Sequence, residues 1–255
     1  MEQYNTIQWE IVEKGLGVLT LNRPKAYNSV NGEMLDELDA FWRTRLYDLE
    51  TLVIILKGAG EKGFCAGLDM KYTVEHADMF AKPNELYKFQ ARLGRLNLGM
   101  RRAPQPIIGL IHGAAAGVGF SFALASDLRI ISPDARFCAA YINIGLGGAD
   151  MCCSYLLPRI IGAGRAYEIM YLGEYISAED ARNLGMISRI VPKEDLYSTG
   201  LQIAQTMLTK NPFALRLTKE AININLDAGG MEQALNIEDR NQALITLASG
   251  IRQTV

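Results

Sequence analysis

Two apolar stretches, TLVIILKG (51–58) and PIIGLIHG (106–113), are each rich in β-branched residues and each lead into a run of glycine and alanine. The first is followed by GFCAGLDMK (63–71) and the second by GAAAGVGFSFALASD (113–127). A short apolar run bounded by glycine reads as a strand buried on both faces. With helical segments between such strands, the chain is restricted to a mostly parallel sheet with right-handed crossovers. The small residues after each strand let a ligand approach the main chain, and amides at a helix start point outward with positive potential. Two such places facing one point would form a pair of N–H donors for a developing oxyanion. Tight strand-to-helix packing explains the same residues without any ligand. Neither stretch continues into the Gly-Lys-Ser/Thr of a phosphate loop, and there is no G-x-S-x-G elbow.

The remaining pattern extends this α/β reading. Further strands are expected at 6–13, 17–22, 127–132 and 186–192, the first two joined through Lys14-Gly15-Leu16 as a hairpin. Between them and the third strand, 31–50 reads as an amphipathic helix with Asn31 as N-cap and Met34, Leu35, Leu38, Phe41 and Trp42 on one stripe. Ser177 and Gly185 bracket another helix. Residues 72–104, polar, Met-containing and Arg-rich, read as helix with loop, either a mobile segment over a binding site or a solvated connecting helix. After Pro192 the pattern is helical, over 193–210, 212–226 and 231–249. The expected organisation is a β/α core over 1–192 that carries the site, and a helical region over 193–255 in the same structural unit that serves oligomerisation.

Composition narrows the function classes. A chain of 255 residues with a net charge of -2 has no general basic bias toward nucleic acid or anionic membrane. The longest apolar runs, such as LVIIL (52–56), are too short to span a bilayer, and MEQYNTIQWE lacks the features of a signal peptide. Cys65, Cys138, Cys152 and Cys153 have no C-x-x-C spacing, and with only two histidines a Cys/His metal site is not expected. Reduced thiols in a cytoplasmic protein are the simplest account. His112 reads as strand-end packing or surface, and His76 as solvated.

The segments LTLNRPKAYNSVN (19–31), KGFCAGLDMK (62–71), PIIGLIHGAAAGVGFSFALASDLRI (106–130), ARFCAAYINIGL (135–146), YLLPRIIG (155–162) and AEDARNLGMISRIVP (178–192) together resemble the enoyl-CoA hydratase/isomerase (crotonase) superfamily in order and spacing. The resemblance implies an α/β, ClpP-like spiral of ββα units with a C-terminal helical trimerisation region. It implies trimers or dimers of trimers, an acyl-CoA thioester substrate, no metal, and no cofactor beyond the coenzyme A of the substrate. Carried over by position, the backbone N–H groups of Leu68 and Val118 form the oxyanion hole. Ala66, Gly67, Leu68, Asp69 and Met70, with Lys25 and Ala26, cradle coenzyme A, and Gly117 completes the substrate site.

The departures concern acid and base. Where hydratases of the family carry two glutamates, this chain has Ser121 and Tyr141. A serine is no proton shuttle without a base, and a tyrosine of ordinary pKa near 10 donates but is a poor base. Asp150 stands where dienoyl-CoA isomerases of the family place an acidic residue. It is also where the 4-chlorobenzoyl-CoA dehalogenase branch, which shares the Ser154-Tyr155 pair, places its nucleophile. From the residues alone, Asp150 also reads as the N-cap of a helix over the following apolar run, a role that can coexist with chemistry. Met151 and Cys152, if they line the site, would raise its pKa. The expected chemistry is enolate-stabilised isomerisation or hydration of an acyl-CoA, with Asp150 as acid/base and Tyr141 supplying a proton. The alternatives are nucleophilic attack by Asp150, or a non-catalytic acyl-CoA or RNA binder on the same scaffold.

Overall fold

The computed structural model describes residues 4–248. Strands β1 (Ile7–Glu13) and β2 (Leu16–Leu21) form the expected antiparallel hairpin, turning at Gly15. From β2 the sheet continues in parallel through β3 (Val53–Gly58), β4 (Ile107–Ile111), β6 (Leu128–Ile131) and the two-residue β9 (Arg189–Ile190). Every residue of β2 and β4 is buried, which accounts for their continuous apolar sequence.

A second sheet of three very short strands has no counterpart in the sequence reading. It consists of β5 (Ala114–Ala116), β7 (Arg136–Cys138) and β8 (Ile176–Ser177), with β5 parallel to β7 and β7 antiparallel to β8. Strands of two or three residues, one of them all alanine, leave no periodicity to detect. The expected strand over 186–192 likewise shrinks to β9.

Helix α1 (Gly32–Arg45) starts as expected, with the Asn31 side chain accepting the Met34 N–H at 3.0 Å. It stops at Arg45 because Asp48 offers the backbone an alternative, accepting the N–H groups of Glu50 at 2.9 Å and Thr51 at 3.0 Å. The 72–104 segment is almost wholly helical: α2 (Met70–Glu75), α3 (Ala77–Phe80) and α4 (Pro83–Arg102). Proline suits the first turn of α4, where its missing N–H has no intrahelical partner. The helix buries Phe89, Leu93, Leu96, Asn97 and Met100, and packs on α1 and on α5 (Val118–Ala125), all eight residues of which are buried.

Helices α6 (Cys153–Ile161), α7 (Ala163–Leu172) and α8 (Ala178–Asn183) follow, the last capped by Ser177 as expected. Helix α9 (Leu196–Leu208) covers the opposite face of the large sheet, where Leu196 and Ala204 meet Val18, Ile55, Ile108 and Ile130. The helical region thus contributes one layer of the core. Helices α10 (Pro212–Asn225) and α11 (Met231–Ala248) pair with each other. Lys219 anchors α10, donating to Asp127 at 2.8 Å and to the Gln105 carbonyl at 2.8 Å. Ile222, Leu226, Met231, Leu235, Leu244 and Leu247 remain exposed on this pair. The final residue of the expected 231–249 helix, and the rest of the 193–255 region beyond it, lie outside the described residues.

Candidate active site

Beyond β3 and β4 the two small-residue stretches lie side by side. Phe64 N–H donates to the His112 carbonyl at 2.8 Å, Cys65 N–H to Ala114 at 3.1 Å, and Ala116 N–H back to Cys65 at 3.0 Å. Side chains cannot fit at this crossing. A Cβ on Gly119 would lie 2.1 Å from the Cys65 carbonyl oxygen. Gly67, at φ +105°, would bring one to 3.0 Å from the Ala116 oxygen and 3.7 Å from the Val118 nitrogen. The main chain at 67–68 is therefore held against the start of α5. Val118 is the first residue of that helix, so its N–H has no intrahelical acceptor. Among the described residues, neither the Leu68 nor the Val118 amide donates to another backbone carbonyl.

Both residues line one cavity of about 120 Å³, together with Ala66, Gly67, Met70, Gly117, Tyr141 and Asp150. Eight of the positions singled out from the sequence thus converge. Among the described residues, Asp150 is the only carboxylate in the lining, and no lysine, arginine or histidine shares it. Burial raises its pKa above the usual 3.8, while the Met151 N–H at 2.7 Å and the Gln90 side-chain amide at 2.5 Å pull partly back.

The carboxylate does not cap α6. Cys152 occupies the N-cap position, and the Asp150 carboxylate accepts the N–H of the next residue instead. Nor do Met151 and Cys152 line the cavity. Met151 is packed in the core, and Cys152 faces a separate hollow between α4, α6 and α10. Leu93, Ile144 and Leu146 are among the apolar residues that share the lining with Asp150 instead. Both residues after Asp150 have left-handed backbones, φ 45° at Met151 and 63° at Cys152. The fully buried Asn97 steadies this turn by donating to the Met151 carbonyl at 2.5 Å.

Tyr141 shows its ring to the cavity, but its hydroxyl donates to the Gly117 carbonyl at 2.7 Å and is also bonded to Ser121. Burial drives its pKa well above 10, only partly offset by Ser121. Asp69, Lys25 and Ala26 are not in the lining. Asp69 accepts the Lys71 N–H at 3.0 Å at the start of α2 and pairs with Arg23 at 2.8 Å. Lys25 and Ala26 form a short turn outside, tied to the site where Ala66 N–H donates to Tyr27 at 3.0 Å.

Gln90, Leu93 and Asn97 were not anticipated. Gln90 and Asn97 are seven residues apart on α4, and an amide pair at that spacing beside an apolar stripe was the available signal. The other residues in question are accounted for by the protein itself. Burial pushes the Cys65 and Cys153 thiols up to about 12 and leaves them unreactive. His112 is buried, and His76 is exposed and bonded to the Tyr72 carbonyl. Arg101 pairs with Asp127 at 2.8 Å, while Arg102 is exposed. Among the described residues no cluster of His, Cys, Asp and Glu has the form of a metal site, and no helix is long and apolar enough to cross a membrane.

Residues 12–252 match the family model for enoyl-CoA hydratase/isomerase. The chain belongs to the enoyl-CoA hydratase/isomerase family. It is 37% identical over 234 residues to a probable enoyl-CoA hydratase of Mycobacterium leprae, spanning 91% of this chain and 79% of that protein. It is 35% identical over 250 residues to a 1,2-epoxyphenylacetyl-CoA isomerase of Escherichia coli, spanning 96% and 92%. Among solved structures, an enoyl-CoA hydratase from Bacillus anthracis superposes with a TM-score of 0.87 at 29% identity, over 94% of this chain and 90% of that one. The expected crotonase-type α/β fold is therefore the observed one. As a family member the chain is an enzyme of the enoyl-CoA hydratase/isomerase superfamily, and acyl-CoA is the substrate class consistent with that membership.

Proposed function

We propose that this enzyme isomerises the acyl part of a coenzyme A thioester, using Asp150 as the single group that moves a proton. The observation that carries the reading is that, among the described residues, Asp150 is the one carboxylate in a cavity otherwise lined by neutral residues, which it shares with two main-chain amides that donate to no backbone carbonyl. The carboxylate removes a proton from the carbon next to the thioester carbonyl. The electron pair moves onto the carbonyl oxygen, where the Leu68 and Val118 N–H groups hold the enolate charge. The same carboxyl then returns the proton to a different carbon, and the carbonyl re-forms. Nothing else is consumed, which suits a site whose one acid must also be its base. A single preorganised donor of this kind is worth about 10²–10³ in turnover.

Hydration needs a second group to supply a proton, and the Tyr141 hydroxyl is already engaged with Gly117 and Ser121. That engagement favours isomerisation over hydration. The 1,2-epoxyphenylacetyl-CoA isomerase among the relatives supports the same direction. The loop from Ala66 to Met70, with the Lys25–Ala26 turn beside it, is the proposed cradle for coenzyme A. Assembly as a trimer or a dimer of trimers would cover the apolar residues left open on α10 and α11. The test is a parallel incubation with a 3-enoyl-CoA, crotonyl-CoA and a benzoyl-CoA panel, beside a salt-titrated RNA-binding assay. Conversion of 3-enoyl- to 2-enoyl-CoA is expected. Hydration of crotonyl-CoA as the faster reaction, or hydrolysis of the thioesters, would replace this reading.

A further inference from the structure

The Tyr141 hydroxyl and the Val118 amide act on opposite ends of one peptide group. Tyr141 donates to the Gly117 carbonyl oxygen at 2.7 Å, and that carbonyl shares its peptide with the Val118 N–H. The peptide is trans, so the two dipole ends point in opposite directions: carbonyl toward Tyr141, N–H away from it. The same oxygen accepts the Ser121 N–H at 3.0 Å from the first turn of α5. Two donors therefore pull on the carbonyl end, which makes the N–H end more positive.

The chain of donation has one direction. Tyr141 carries a single proton, and the Gly117 carbonyl has none to give. Ser121 Oγ, bonded to the Tyr141 oxygen, must then be the donor of that pair. The polarity runs from Ser121 through Tyr141 and the Gly117 carbonyl to the Val118 N–H. Both side chains are buried, Ser121 at 0% and Tyr141 at 5% exposure, which limits competition from water. The other proposed donor is backed by the main chain alone: the Gly67 carbonyl, which shares the Leu68 peptide, accepts the Val30 backbone N–H at 2.8 Å.

The geometry points to Tyr141, backed by Ser121, as a positioning residue that aims and strengthens the Val118 oxyanion donor without passing a proton to substrate. This inference rests on the reading of Leu68 and Val118 as the carbonyl-binding amides. It also gives the hydroxyl pair a role at the very positions where hydrating relatives are expected to carry carboxylates.

The test uses Tyr141→Phe, Ser121→Ala and the double variant, with two readouts. The first is the absorbance of bound 2,4-dienoyl-CoA in an Asp150→Asn background that spares the ligand. Donors at the thioester oxygen draw electron density along the conjugated chain and shift its absorbance to longer wavelength. Tyr141→Phe should remove a large part of that shift. The second readout, with Asp150 intact, is turnover, where Tyr141→Phe should lower kcat by about tenfold and leave KM within about twofold. Ser121→Ala should have a smaller effect on both, and no further effect when Tyr141→Phe is already present, because it acts through that hydroxyl. Ser121→Ala alone carries the test if the Tyr141 variant does not fold. An unchanged shift in a folded Tyr141→Phe protein overturns the inference, as does lost turnover together with lost dependence on alkaline pH, which would mark Tyr141 as the proton donor. If the protein with native Ser121 and Tyr141 binds the ligand with no shift at all, the oxyanion reading itself fails.

Discussion

Gln90 Nε2 lies 2.5 Å from Asp150 Oδ1, joining α4 to the turn before α6 across 60 residues of sequence. The Met151 N–H reaches the same oxygen at 2.7 Å. Both donors converge on Oδ1, which leaves Oδ2 as the oxygen for the proposed proton transfer. The first expected outcome follows from this arrangement. Asp150→Asn preserves an acceptor for Met151 but cannot take a proton, so turnover should fall by about 10²–10⁴. Coenzyme A binding, measured by calorimetry, should persist.

The same variant should not be less stable at neutral pH. Burial holds the Asp150 pKa above its ordinary value, so the folded state favours the protonated carboxyl. Folded protein then binds more protons than unfolded protein between the two pKa values, and the contribution of this group falls as pH rises through that window. Asn, which never ionises, escapes the penalty. Denaturant titrations at several pH values should show the variant's advantage shrinking as pH falls toward 3.8.

Gln90→Leu removes one of the two donors that hold the Asp150 pKa down. The acidic limb of the kcat/KM profile should therefore move to higher pH, because the base must be ionised to act. A limb that stays in place, or moves toward acid, would show that Asp150 is not the group titrating in that profile.

Leu68→Pro removes the proposed N–H donor, whereas Leu68→Ala leaves it. Turnover should be lost in the first and largely kept in the second, with circular dichroism confirming that the proline variant is folded. Full activity in a folded Leu68→Pro protein would exclude that amide from the oxyanion hole.

The apolar residues exposed along α10 and α11 should draw copies of the chain together. Light scattering at micromolar concentration should report a trimer or a multiple of it. Glu or Lys at Leu235 and Leu244 should shift the mass downward.

The readable and unreadable parts of the chain divide along physical lines. The parallel strands announced themselves because two-sided burial demands uninterrupted apolar residues, as in VIIL of β3 and IIGLI of β4. Asn31 and Ser177 were legible as caps because a short polar side chain before an amphipathic run has few other uses. The small sheet was not legible, since Ala114–Ala116 and Ile176–Ser177 are held by distant partners rather than by propensity. At the site, convergence of residues 66–68, 117–118, 141 and 150 was foreseeable through resemblance to a family. The partners of Asp150 were not. Gln90 and Asn97 lie on a helix that composition alone presented as a polar connector, and only tertiary packing reveals which of its faces turns inward. The alternative reading of Asp150 as an N-cap fails because the left-handed Met151 and Cys152 stand between it and the helix.

The two amides at Leu68 and Val118 belong to the main chain, and their placement depends on glycine contacts and strand pairing rather than on the side chains that face the cavity. A change at 150 leaves those contacts untouched, and a change at 121 or 141 reaches only the donors on the Gly117 carbonyl. On the proposed reading, the hold on the thioester and the group that moves the proton are thus written in separate residues. A lineage using this scaffold can exchange one chemistry for another by a few substitutions and still recognise its substrate at every step along the way.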